Sequence, residues 1–84
     1  MMKKIAIIGG GNLGTAIAHG LIHSGFISAQ HITVTKRNIQ TLSGLAALGV
    51  TTSSDNLEAV RNSDIVILAI KPFQVKEVLQ QLAP

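Results

Sequence analysis

Two kinds of apolar spacing alternate along the chain. Ile5 to Ile8, His31 to Thr35, Val50 to Thr52 and Ile65 to Ile70 are short runs rich in apolar or β-branched residues, the pattern of strands. Between them apolar residues return every three or four positions, the pattern of a helix with one buried face. The first such stretch predicts a helix from Asn12 to Ser24. Its stripe of Leu13, Ala16, Ile17, Gly20 and Leu21 faces the sheet, and Gly25 ends it just past the cap. Asn38 is placed to cap a second helix that carries Leu42, Leu45 and Ala46 and ends before Gly49. Asp55 and Glu58 have the spacing of a capping box and start a short third helix with Leu57 and Val60. Pro72 opens a fourth, whose stripe is Val75, Val78, Leu79 and Leu82.

The resulting order, β-α-β-α-β-α-β-α, makes this an α/β chain. Right-handed crossovers turn that alternation into an open parallel sheet with helices on both faces and an expected strand order of 3-2-1-4. The unalternating run from Ile65 to Ile70 reads as a central strand covered on both faces. The chain stops at Pro84 as the fourth unit closes, whereas a complete sheet of this kind has about six strands. The expectation is therefore a sheet truncated relative to the full fold, with an open edge at its last strand.

Where the first strand meets the first helix, Gly9, Gly11 and Gly14 fill a G-x-G-x-x-G spacing, the mark of a Rossmann-type dinucleotide cradle. Gly9 permits the tight turn, Gly11 lets the backbone approach a pyrophosphate, and Gly14 lets the helix lie close to the strand. The N–H groups of the first helical turn, at Asn12 and Leu13, then face the ligand with the positive end of the helix dipole behind them. On spacing alone a purely structural glycine turn remains the alternative.

The second strand ends in Thr35-Lys36-Arg37-Asn38, about twenty residues after the glycines. That is where an acid would hold a free ribose 2′-hydroxyl and a basic group a 2′-phosphate. No acid is present. Arg37 offers a planar fork and Lys36 a second charge, so NADP is the expected cofactor. A solvated basic turn is the other reading. His19 and His23 have an i, i+4 spacing, but without a nearby third ligand they read as a solvated helix face.

Composition limits the remaining choices. The chain has 84 residues, enough for one domain, and apolar residues make up 46% of it against 13% charged. Such a chain is expected to meet another domain or chain with part of its apolar surface. It contains no cysteine, so thiolate metal sites and disulfides are excluded and a cytoplasmic setting is permitted. The net charge of +3 is scattered, and the aromatics are two Phe residues, which argues against a nucleic-acid partner. The apolar runs are too short to span a bilayer. Gly9-Gly10-Gly11-Asn12 interrupts the run behind Lys3-Lys4 before a signal peptide can form.

The glycine segment through Ala18, Gly20-Leu21, Ser24-Gly25, Asp55 to Val60 and Asp64 to Pro72 together resemble pyrroline-5-carboxylate reductase over essentially the whole chain. The Ala69-Ile70-Lys71-Pro72 ending is the most discriminating part. The resemblance implies NADPH-dependent reduction of the cyclic imine 1-pyrroline-5-carboxylate to proline. It assigns the pyrophosphate to Gly9 through Gly14, the 2′-phosphate to Thr35 through Asn38, a part of the cofactor to Asn56, and the nicotinamide side to Ala69 through Pro72. Lys71 is alternatively a plain strand-end charge, and Asn56 part of a helix start. The resemblance further implies a homo-oligomer, and a second, helical domain that holds the substrate and is absent from residues 1–84. No catalytic residue is named, and the chain alone is expected to be inactive. Competing readings are another NADP-dependent reductase, such as a deazaflavin-dependent one, and a non-catalytic nucleotide-binding module.

Overall fold

The structure, a computed structural model, describes residues 3–82; Pro84, where the fourth unit was expected to close, lies outside them. Strand β1 (Ile5–Ile8) leads into helix α1 (Asn12–His23). A 3-10 turn at Ala29–His31 precedes β2 (Ile32–Thr35), which therefore starts one residue later than expected. A second 3-10 turn, Ile39–Leu42, runs into α2 (Ser43–Ala47), followed by β3 (Thr51–Ser53), α3 (Asn56–Arg61), β4 (Ile65–Leu68) and α4 (Pro72–Leu82). The four strands form one parallel sheet in the order β3-β2-β1-β4, the order expected from the right-handed crossovers.

Register brings the carboxyl ends of the strands together. Ile8 lies opposite Thr35 on one side and Leu68 on the other, and Thr35 lies opposite Ser53. Beyond the last paired residues, the Gly9 N–H donates to the Thr35 carbonyl at 3.1 Å and the Ala69 N–H to the Ile8 carbonyl at 2.9 Å. At the other end of the strands, the Lys4 N–H donates to the Asp64 carboxylate at 2.8 Å, and the Asp64 N–H returns a bond of 2.8 Å to the Lys4 carbonyl.

The sheet is covered on both faces. One face packs Ile5, Ile7, Ile32 and Val34 against α1 and the Leu42–Leu45 turn, and the other packs Ala6 and Ile8 against Ala59 of α3 and Val78 of α4. Helix α1 is rotated one residue from the expected stripe. Gly14 and Ala18 are its buried residues, with Ile17, Leu21 and Ile22 beside them, while Leu13 is 60% exposed and Ala16 and Gly20 face solvent. The helix comes so close to the strand that only small residues fit its contact line: a Cβ at Gly14 would run into the Gly9 carbonyl. Gly25 ends the helix with φ +72°, a left-handed geometry that a side chain disfavours.

Helix α2 starts as the 3-10 turn, with Asn38 accepting from the Gln40 N–H at 3.2 Å. Leu42 and Leu45 are buried and Ala46 is exposed. In α4, Val78 is buried, Val75 and Leu82 are half-buried, and Leu79 points outward. β4 is the edge among the described residues, as the expected order and open edge have it, but the cover on both faces read from its unalternating run is missing, and Ile65, Val66 and Leu68 are exposed. Its side chains are those of a strand made for burial on both faces, and nothing in the strand itself encodes whether a neighbour is present.

The capping box on α3 forms in one direction. The Asp55 Oδ1 accepts from the Glu58 N–H at 3.1 Å, but the Asp55 N–H goes to the Ser53 Oγ at 3.0 Å. Asp55→Ala is expected to cost about 1 kcal/mol, the usual worth of an N-cap, read as a lower urea midpoint at unchanged m-value. Gly14→Ala should cost more. The methyl meets a backbone oxygen that cannot rotate away, an overpacking of about 1–3 kcal/mol against roughly 1 kcal/mol gained in helix propensity. Calorimetric melting of the ligand-free chain checks both changes, and an unchanged midpoint for Gly14→Ala would contradict the close helix–strand contact.

Candidate functional site

The turn after β1 is wedged between two elements. Gly9 has φ +105°, and a Cβ on it would sit 2.6 Å from the Ala69 carbonyl oxygen and 2.7 Å from Ile70 Cγ2. Behind it stands Gly14, already in contact with the Gly9 backbone. Gly11 differs: no protein atom lies within 4 Å of where its Cβ would be. Its side faces open space, the condition for a ligand to come up against the backbone. No side chain caps α1 at Gly11, so the amino end of a 12-residue helix is left for another acceptor to satisfy.

In front of this turn lies a cleft of about 720 Å³, within the range of roughly 300–1,000 Å³ typical of ligand sites. It stands at the carboxyl ends of β1, β2 and β4, where open α/β sheets bind ligands. The cradle from Gly9 to Leu13 lines one wall; Thr35, Lys36 and Arg37 line another; Asn56, Ala69, Ile70 and Lys71 complete the expected set. Three expected residues stand outside. Gly14 lies beneath the cradle as packing, Asn38 turns to cap the 3-10 turn, and Pro72 opens α4.

Hydrogen bonding refines the roles. The Asn56 side-chain amide donates to Gln81 Oε1 at 3.0 Å, tying α3 to α4. The Lys71 N–H donates to Gln74 Oε1 at 3.1 Å, and its ammonium lies 6.0 Å from the centre of the Phe73 ring. Thr35 is 1% exposed, and its Oγ1 has no hydrogen-bond partner among the described residues. A buried hydroxyl without a partner carries an unmet cost, and this one belongs to a cleft-lining residue at the end of β2, where an adenosine ribose would come. The residues present thus fit a dinucleotide.

One wall was missing from the sequence reading. Gln74, Glu77 and Gln81 of α4 line the cleft together with Val78. Their i, i+3, i+4, i+7 spacing is that of one helix face, but the apolar stripe beside it drew attention to burial instead. Glu77 sets a carboxylate against the cations of Lys36, Arg37 and Lys71 in the same cleft. His19 and His23 stack at 6.2 Å between ring centres, and among the described residues no group of three or more metal-ligating side chains occurs. Nor is any helix there long and apolar enough to cross a membrane.

Comparison with known proteins agrees with this geometry. A pyrroline-5-carboxylate reductase of Methanosarcina acetivorans is 40% identical over 81 residues, covering 95% of this chain and 30% of that protein. A solved pyrroline-5-carboxylate reductase from Coxiella burnetii has a TM-score of 0.88 at 38% identity, covering 98% of this chain and 30% of that one. The Plasmodium falciparum pyrroline carboxylate reductase, solved with NADP bound, has a TM-score of 0.82 at 25% identity and the same coverage. The chain thus spans less than a third of the length of these relatives. The sheet order and the glycine cradle are those of a Rossmann-type fragment, and the family model described as NADP oxidoreductase, coenzyme F420-dependent, matches residues 4–84, so the chain belongs to that family.

Proposed function

We propose that this chain is the NADPH-binding domain of an oxidoreductase of the pyrroline-5-carboxylate reductase type. The observation that carries the reading is the pairing, in one cleft, of a glycine backbone open to a ligand at Gly11 with the cations of Lys36 and Arg37 at the end of β2. Likeness to pyrroline-5-carboxylate reductases at 38% and 40% identity supports it. The bound cofactor supplies a hydride for the carbon of a C=N bond. The chain's own residues hold it: backbone N–H groups at the start of α1 face the pyrophosphate, the Arg37 fork and Lys36 face the 2′-phosphate, and Ala69, Ile70 and Lys71 flank the nicotinamide side. The imine's seat and its proton donor belong, in this reading, to a further helical domain beyond residue 84. Self-association through the apolar β4 edge and a cytoplasmic setting go with it.

A second reading, a deazaflavin-dependent NADP reductase, is favoured by the family model's description, coenzyme F420 being a deazaflavin. Both share the cradle and the basic turn. They are separated by whether NADPH is consumed with 1-pyrroline-5-carboxylate or with F420 in the full-length protein.

Replacing Lys36 by Asp and Arg37 by Ser should weaken NADPH binding far more than NADH binding. Each lost charge-assisted contact is worth about 1.5–3 kcal/mol, toward the low end because Arg37 is exposed and Lys36 half-buried. Titration calorimetry with both cofactors decides it, and equal losses would remove the case for a 2′-phosphate site. Gly11→Val should abolish binding of either cofactor while leaving the melting temperature near that of the parent, since the space around the added Cβ is open for 4 Å. Retained affinity in that variant would place the nucleotide elsewhere.

A further inference from the structure

Gly10 has none of the usual reasons to be glycine. It occupies a variable position of the G-x-G-x-x-G spacing, it is not among the glycines with positive φ, and although it lines the cleft beside Gly11 it is buried where Gly11 is exposed. What a side chain there would meet is the protein's own core. A Cβ at Gly10 would lie 2.6 Å and 3.3 Å from the two terminal carbons of Leu42 and 3.1 Å from Val34 Cγ1.

Those two partners bracket the basic turn. Val34 immediately precedes Thr35, and Leu42 closes the 3-10 turn that Asn38 caps. Between them lie Thr35 to Asn38, held on one side by the Gly9-to-Thr35 and Lys36-to-Ser53 backbone bonds of 3.1 and 3.0 Å. On the other side Thr41 donates twice to the Asn38 carbonyl, at 2.9 Å through its hydroxyl and 3.3 Å through its N–H. Leu42 is 1% exposed and Val34 fully buried, so neither can swing into solvent, and a methyl at Gly10 has to be accommodated within the core, by these side chains or by the segment between them that carries Lys36 and Arg37.

We propose that Gly10 and Leu42 act as a positioning pair that sets the height of the basic turn over the cradle and so tunes the preference for a 2′-phosphorylated dinucleotide. The inference rests on the nucleotide reading above and deepens it: Lys36 and Arg37 supply the charge, and the Gly10–Leu42 contact supplies the distance. Charge-assisted bonds to a phosphate are short and directional, so a turn displaced by a few tenths of an ångström loses part of them. The pyrophosphate contacts are made by the cradle and lose less.

The test compares NADP+ and NAD+, which differ in the 2′-phosphate, on the parent chain, Gly10→Ala, Leu42→Val and the double variant. Gly10→Ala should lower the NADP+/NAD+ affinity ratio about tenfold, the worth of one weakened charge-assisted contact, NAD+ affinity falling by less than NADP+ affinity. Leu42→Val removes the carbons that the new methyl would meet, so the double variant conserves volume and should regain most of the ratio, a non-additivity read from the cycle. If Gly10→Ala fails to fold, the double variant carries the test by recovering both fold and preference. A double variant no better than Gly10→Ala overturns the proposal, as does a Gly10→Ala that keeps the parent ratio or weakens both ligands equally. A parent chain that binds neither dinucleotide, or shows no preference, overturns the nucleotide reading as well.

Discussion

The contact between the Gly9 carbonyl and the first turn of α1 is the constraint that everything at the carboxyl end of the sheet obeys. Gly14 must be bare for the helix to come this close, Gly9 must be bare for β4 to arrive at Ala69, and the left-handed turn between them aims the helix's free N–H groups across the strand ends. A methyl group at either position forces strand, turn and helix apart. The cleft is thus a product of close packing, and its shape follows from what was left out of the chain at Gly9 and Gly14 more than from what was put in.

Charge enters that frame sparingly. With three cations and one carboxylate around the cleft, the local field suits a polyanion, and Glu77 on α4 keeps the positive potential from extending over the whole opening. The unpaired hydroxyl of Thr35 stands at the junction between cradle and basic turn. A group that meets it would relieve a desolvation cost the ligand-free protein carries.

The strands, their order, the glycine cradle and the basic turn were legible because each is written locally, in period or in spacing. The face of α1 was misjudged by one residue because the contact line is made of Gly14 and Ala18, the residues an apolar count weighs least. The place of β4 at the end of the 3-2-1-4 order was legible, but the exposure of its side chains was not, because burial depends on neighbours outside the strand. Gln74, Glu77 and Gln81 were passed over because a polar helix face reads as solvated until tertiary structure shows what it looks onto. The one-way capping box at Asp55 has a similar origin: Ser53 reaches the same N–H first.

The pairing of β1 with both β2 and β4 carries a consequence for how the molecule comes into being. β1 meets β2 across a single helical crossover, but it meets β4 only after the chain has looped through 60 residues, the separation of Lys4 from Asp64. Loop-closure entropy puts such a contact late in the order of assembly. Gly9 can turn as soon as β1 and α1 exist, yet the wall that Ala69 and Ile70 raise beside it arrives with the last strand. On that ground the cradle is expected to be complete only once β4 has docked, and an opening that frees β4 would remove its Ala69–Ile70 wall while the β1–α1–β2 unit still stands.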